Sequence, residues 1–486
     1  MLGLANIYKH KKSTLAYILI SCIFYVWFAI GLERTEALKL VLLYTALFFF
    51  AFKIIKTSGF YYRILVISAL LFRLLFLFSI PNLSQDFYRF IWDGRMIFEG
   101  FNPYLYTPNS FIVNEQFPVT QAQELYNGMG ELSAMHFTNY PPINQLCFFI
   151  TSLFASKSIL GSVMVMRVII IVADLGTLYF GKKLLEQLKM PSNRIFWYIL
   201  NPFIIIELTG NLHFEGVMIF FLVWSLYLLH SNKWQWAAVI FACSVSVKLI
   251  PLMFLPLFFW WFNKTTAILS VVEKSHEPLN DAQGNSIVKL NDEIASAKKP
   301  RNALFKLLSF YTIVGITVVL LFLPFFSMEF VNNYSKTVGL WFSNFEFNAS
   351  IYYILRAIGY AITGYNEIAI IGKVLPVITV LIILGLALLK KNDTLPKLIT
   401  SMLLAFTFYL FLSTTVHPWY LATLVLFCVF TKYRFPLIWS VVIVLSYLSY
   451  LGIGTADKSE NLWIVGLEYL VVFSVFIWEV VLKKSH

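Results

Sequence analysis

The stretch SQDFYRFIWDGR, Ser84 to Arg95, places two aspartates and two arginines within twelve residues, directly after an apolar run. Read as a helix, it puts Asp86, Arg89 and Asp93 at i, i+3 and i+7 on one face, with Phe87, Phe90, Ile91 and Trp92 as an apolar surface. A carboxylate so placed suits general-base work if it reaches the proton to be removed. The same spacing also fits plain ion pairing of Arg89 with Asp86 and Asp93, worth ~0.2–0.5 kcal/mol per pair.

Other polar groups interrupt apolar runs. GNLHFEG (Gly210 to Gly216) joins two such runs too closely for a free loop, so His213 and Glu215 sit at a membrane surface. They form either a solvated turn or a recognition site for donor or acceptor. Lys248 lies in SVKLIPLMFLP, between half-length apolar pieces broken by Pro251 and Pro256. Broken helices at membrane depth are tolerated where they line a cavity. A lysine there either meets a phosphate as a point charge or snorkels to the headgroups. His417, before Pro418, either hydrogen-bonds a phosphate or caps a helix. Arg167 and Asp174, seven apart, share a face and are expected to pair structurally.

The surrounding chain must hold these groups in a bilayer. Of 486 residues, 59% are hydrophobic and 13% charged, so lipid is the expected solvent and an all-α polytopic membrane protein the expected fold. The alternating short strands of a β-barrel are absent. The net charge of +12 reads as topology, because basic residues cluster between apolar runs; no nucleic acid is expected as a partner. Cys22, Cys147, Cys243 and Cys428 lie in apolar segments at no metal-like spacing. The first apolar run has no small-residue cleavage site and reads as a retained helix.

With Lys9, Lys11 and Lys12 inside, the runs alternate as Thr14–Ile30, Leu40–Phe52, Tyr61–Ile80, Ile159–Phe180, Ile195–Leu208, Phe214–Leu229, Trp236–Val247, Leu252–Phe262, Leu307–Phe325, Ile368–Leu389, Leu398–Leu412, Tyr420–Phe430, Phe435–Ile453 and Leu462–Val481. That gives about 11–14 transmembrane helices. Ile143–Ser156 is too short to span comfortably and would violate the positive-inside rule, so it is laid in the membrane surface. Residues 81–158 then form a large outer loop, and loops of that length are usually functional or disordered. Asn263 to Lys306 reads as a flexible cytoplasmic insertion. Asp86, Arg89, Asp93, Arg95, Asn102–Tyr104, His136–Pro142, Gly210–Gly216, Lys248, Asn344, Glu346, Asn348 and His417–Tyr420 all fall at the outer side. Ionisable groups at membrane depth default to function.

Five motifs in order, DFYRFIWDGRMIFEGFNPY, NYPPINQL, NPFIIIELTGNLHFEG, VKLIPLMFLP and VHPWY, resemble the polytopic GT-C superfamily glycosyltransferases that use polyprenyl-phosphate sugars, bacterial mannosyltransferase-like members above all. The resemblance runs from Tyr61 to Tyr420. It implies a GT-C-type helical core with juxtamembrane helices in the first outer loop. Asp86 matches the catalytic acid of that loop, Asp93, Arg95 and Tyr140 match positions that shape the site, and Lys248 and His417 match positions near the donor phosphate. The implied layout is two additional helices in 1–60, a catalytic core in 61–262, the insertion 263–306, and helices completing the cavity in 307–486. The two early helices and the insertion depart from the simplest family layout.

The implied activity is transfer of a sugar, mannose first, from a polyprenyl-phosphate carrier to a glycolipid, polysaccharide or protein hydroxyl. The expected place is the periplasmic or extracellular face of the plasma membrane, by inverting displacement with Asp86 as base and Arg89 orienting the carboxylates. No nucleotide motif is needed. A divalent cation is compatible with the carboxylates, but the basic residues make it dispensable. A transporter or flippase of lipid-linked sugars, or a ligase-like transferase moving a glycan en bloc, would share the same membrane core.

Overall fold

The computed structural model describes residues 2–57, 61–263, 300–343, 345–448 and 460–483. The insertion expected over 263–306 falls mostly outside these, as does Asn344; its last residues, from Pro300, begin a helix running to Phe322. Among the described residues the architecture is helical, with extended backbone pairing only at a bridge between Phe347 and Thr415. Seven helices are long and apolar enough to cross a membrane, with mean hydropathy from 1.7 to 2.5. Pro202–Gly210 and Glu215–His230 qualify together but bend by 115° between them. Shorter apolar helices among the described residues complete the bundle.

The first eight helices position the chemistry: α1 (Leu2–Gly31), α2 (Ala37–Thr57), α3 (Tyr62–Leu74), α4 (Asp86–Phe98), α5 (Pro108–Val113), α6 (Ala122–Ala134), α7 (Pro142–Ala155) and α8 (Ile159–Gln187). Amphipathic α4 packs on α6 and α7, and α7 packs on α8. Asp86 in its first turn and Arg95 in its last both suit the helix dipole. Gly94 permits the α4–α7 crossing, since a Cβ there would lie 2.2 Å from the Phe148 carbonyl oxygen. Phe90 stacks on Phe148 with ring centroids 4.7 Å apart and meets Phe214 edge-on at 5.7 Å, joining α4, α7 and the bent pair.

Three local features depart from the sequence reading. α3 ends at Leu74, six residues short of the expected span, and continues as turns. Arg167, on α8, takes the freed carbonyl oxygens of Phe76, Leu77 and Ser79, and also those of Thr209 and Gly210 at the bend. It therefore does not pair with Asp174, whose carboxylate is held by Arg73 Nε at 2.7 Å. Second, the expected span Ile195–Leu208 is broken at Asn201–Pro202, where the Asn201 side chain accepts from Phe203 N at 3.0 Å. Proline cannot donate to the preceding turn, so a new helix starts there. Third, Met328–Ser343 and Ile351–Thr363 are helices that the hydropathy pattern did not suggest. The former docks on the first loop: Asn333 Nδ2 donates to Tyr104 O at 3.2 Å, and Tyr334 donates to Asn139 O at 3.2 Å.

Candidate active site

The residues that converge come from four separated segments. Asp86 opens α4; Glu215 opens the second arm of the bent pair; Lys248 follows Trp234–Val245; His417 precedes Pro418–Phe430. Backbone and side-chain hydrogen bonds fix their relation. Leu83 N donates to Asn211 Oδ1 at 3.4 Å, tying the approach to α4 to the bend. Ile143 N donates to Ser246 O at 2.9 Å, tying the start of α7 to the Lys248 segment.

The Asp86 carboxylate accepts no hydrogen bond among the described residues; only its backbone N–H is engaged, by Ser84 Oγ at 3.3 Å. Burial pushes its pKa up to about 6, against the pull of Lys248 and Arg34 and with a smaller push from Glu215. Lys248 Nζ is ion-paired to Glu215 Oε1 and lies 5.3 Å from the centre of the Tyr420 ring. The Glu215 side chain is 1% exposed and that of Lys248 20%, so the lysine keeps an open side while its partner is walled in.

Beyond Lys248 three rings stack. His213 lies on Trp419 at 3.7 Å and Trp419 on His417 at 4.6 Å, with interplanar angles of 18° and 5°. His213 Nε2 is buried and without a hydrogen-bond partner, 3.9 Å from Glu207 Oε2. Glu207 itself accepts from Tyr447 at 2.8 Å and from Asn211 Nδ2 at 3.3 Å. The Tyr140 ring contacts Phe90 and Phe148 edge-on, and burial first, then Asp86, raise its hydroxyl well above the usual tyrosine range.

Several expected site residues serve the scaffold instead. Asp93 is buried and bound by Arg89 Nε at 2.8 Å and Gln145 Nε2 at 3.1 Å. Arg89 also donates to the carbonyls of Ser133 and His136, so it fastens α6 to α4 rather than orienting Asp86. Arg95 donates to the Thr120 carbonyl, and burial brings its pKa down to about 10. Thus α4 sends its first acid to the site and its later charges into the loop. Glu346 pairs with Arg356, and Asn348 binds Glu460 and Glu468, likewise within the scaffold. The 115° bend buries His213 and Glu215, where a membrane-surface turn was expected.

Glu207, Tyr447 and Arg34 were not singled out from sequence, and Trp419 and Tyr420 entered only as part of the stretch His417–Tyr420. Glu207 had a signal, as the only charge in NPFIIIELTGN; the aromatic partners had none, because ring stacking is set by the fold. Among the described residues no group of three or more His, Cys, Asp and Glu side chains is placed to hold a metal ion.

No curated protein sequence matches the chain. A family model described as alpha-(1->6)-mannopyranosyltransferase, N-terminal domain, matches residues 17–264, just over half of the 486 residues. The matched range includes the second half of α1, all of α2–α8, the bend and Lys248. The chain belongs to this alpha-(1->6)-mannopyranosyltransferase family, as a polytopic membrane mannosyltransferase with a GT-C-type helical core.

Proposed function

We propose that the protein transfers mannose from a β-linked polyprenyl-phosphate carrier to an acceptor hydroxyl, with inversion, at the non-cytoplasmic face of the membrane. The observation that carries this reading is a half-buried Asp86 carboxylate that accepts no hydrogen bond among the described residues and feels the charge of Lys248. Asp86 takes the proton of the acceptor hydroxyl as its oxygen attacks the anomeric carbon. The bond from that carbon to the phosphate oxygen breaks, and the lipid phosphate leaves with the electron pair. Lys248 stabilises the charge appearing on that oxygen, and Glu215 holds Lys248 in place. One displacement converts a β-linked donor into an α-mannoside, the anomer in the family's description. The 1→6 linkage in that description points to a primary hydroxyl on an acceptor mannose. The lysine clusters between spans support the non-cytoplasmic assignment.

The test is transfer from radiolabelled polyprenyl-phosphate mannose by the purified protein in liposomes, with octyl α-mannopyranoside as acceptor. Labelled α-dimannoside is expected from the wild type and none from Asp86→Asn. Undiminished product from Asp86→Asn overturns the assignment of the base. Label that crosses the bilayer without new product replaces the transferase reading with a transporter.

A further inference from the structure

Arg34 lies on the turn between α1 and α2, the two helices that the sequence reading set apart from the catalytic core. The turn is anchored at the site. Asn82, four residues before Asp86, donates through Nδ2 to the carbonyls of Phe28 at 2.8 Å and Leu32 at 3.2 Å. The connection leading to Asp86 therefore closes the end of α1, and Arg34 follows two residues later. From the other side, Tyr44 of α2 donates to the Ser440 carbonyl at 2.7 Å, and Ser440 Oγ receives Asn201 Nδ2 at 3.1 Å. The hairpin is thus bonded to the approach to Asp86 and to the helix Phe435–Val442.

Arg34 is exposed and its guanidinium makes no hydrogen bond or ion pair among the described residues; its carbon lies 6.0 Å from the centre of the Tyr447 ring. The hairpin's neighbouring cation, Lys39, is occupied by Glu36 and the Gly31 carbonyl. The positive charge of Arg34 acts on Asp86, Glu207 and His417, and that of Lys248 acts on Asp86 and His417 too. Two cations from opposite ends of the matched region therefore share one carboxylate, Asp86, within their electrostatic reach. Glu215 pairs with Lys248, whereas no carboxylate among the described residues is ion-paired to Arg34.

We propose that Arg34 is a donor-binding residue: its guanidinium grips the phosphate of the lipid carrier, so that the N-terminal hairpin completes the active site. The inference rests on the proposed transfer from a lipid phosphate. Charge bookkeeping through the reaction supports it. When Asp86 accepts the acceptor's proton it becomes neutral, and the two cations lose the anion they faced. At that moment the departing phosphate gains a negative charge, so the cations change partner without a change in total charge. A planar fork of donors suits two phosphate oxygens at once, which an ammonium does not match. An arginine on an outer turn also runs against the positive-inside tendency, which makes a merely topological role a poor explanation for it.

The test uses the full chain in nanodiscs, polyprenyl-phosphate mannose as donor and octyl α-mannopyranoside as acceptor. Arg34→Gln should raise the donor KM about tenfold or more, the effect of one charge-assisted hydrogen bond, and lower kcat as well because the phosphate gains charge as it leaves, with acceptor KM and Tm unchanged. Inhibition by free polyprenyl phosphate should weaken in parallel, and Arg34→Lys should recover part of both. The proposal is overturned by unchanged donor KM and product inhibition, by a shift in acceptor KM instead, or by a lower Tm with all constants falling together in both variants. Its failure is distinct from failure of the transferase reading: Asp86→Asn would still abolish transfer while Arg34→Gln behaved as wild type.

Discussion

Arg89 Nε donates to Asp93 Oδ1 at 2.8 Å, and both side chains are almost fully buried. The pair turns the second acidic position of α4 away from the candidate site and divides the helix into a first turn at that site and a structural remainder. Removing one partner of a buried pair strands the other, at a typical cost of about 3–5 kcal/mol. Asp93→Ala should therefore lower Tm strongly in nanodiscs, while protein that remains folded keeps its donor KM. The double variant Arg89→Met/Asp93→Leu should recover only a part of that loss, because it leaves the Ser133 and His136 carbonyls without their donor. A donor KM raised by Asp93→Ala in folded protein would return Asp93 to the substrate.

The pKa of Asp86 gives the reaction a pH signature. With its carboxyl pushed up to about 6, the free enzyme should show kcat/KM rising with pH through that value, about tenfold lower at pH 5 than on the plateau. A folded pKa above the unfolded one means that the ionised form is the costly one. Its contribution to stability is fully present below about pH 4 and is lost as pH rises through 6. Asp86→Asn should thus be more stable than wild type at pH 7.5, by at most about 3 kcal/mol, and equal to it at pH 3.5. Thermal unfolding of both proteins across that range checks the sign; a destabilised variant at pH 7.5 would contradict it.

Arg167 makes a second structural prediction. Its guanidinium gathers five carbonyl oxygens from the unwound end of α3 and from the bend. These two chain ends lead to Asp86 and to Glu215. A lysine cannot reproduce a planar fork, and each stranded carbonyl costs about 1–3 kcal/mol. Arg167→Lys should reduce the yield of folded protein and lower kcat without altering the pH midpoint. Full-rate enzyme with an unchanged Tm would show that the bend holds without it.

How much of this was legible in the sequence follows from the kind of interaction involved. The apolar runs specify helices in lipid because unpaired backbone groups are costly there, so the polytopic fold was readable throughout. Asp86 was readable because a charge at the mouth of a span needs a reason. Arg89, Asp93 and Arg95 share its spacing, and helical periodicity alone does not tell a cavity-facing carboxylate from one covered by α6 and α7. The Arg167–Asp174 expectation failed for a related reason: a shared helix face permits a pair, but backbone carbonyls freed by two broken helices compete for the guanidinium. The three-ring stack lay beyond reach altogether, since His213 and Trp419 are distant in sequence and meet only through the 115° bend.

That stack leads to a prediction on rate rather than affinity. Trp419 separates and fixes His213 and His417, so Trp419→Ala should lower Tm and release both imidazoles. Trp419→Phe keeps a flat apolar spacer and should retain most of the stability. If the stack serves to hold the wall opposite Asp86, the phenylalanine variant loses kcat modestly, within about tenfold. An unaltered kcat in Trp419→Ala protein that remains folded would leave the stack with a purely structural role.

The Glu215–Lys248 pair separates stability from chemistry. Lys248→Met leaves the buried Glu215 carboxylate, one of whose oxygens already lacks a partner, without its counter-charge. It should lose both stability, by about 3–5 kcal/mol, and rate, by about 10²–10³ as expected for a missing transition-state donor. Glu215→Gln keeps the ammonium but loosens its position and should cost about tenfold in kcat. The double variant Lys248→Met/Glu215→Gln buries no unpaired charge, so its Tm should return toward wild type while its rate stays at the Lys248→Met level. Such a split, measured as Tm and kcat on the same four proteins, assigns the carboxylate to positioning and the ammonium to the leaving phosphate. Recovery of rate along with stability in the double variant would instead place Lys248 outside the chemistry.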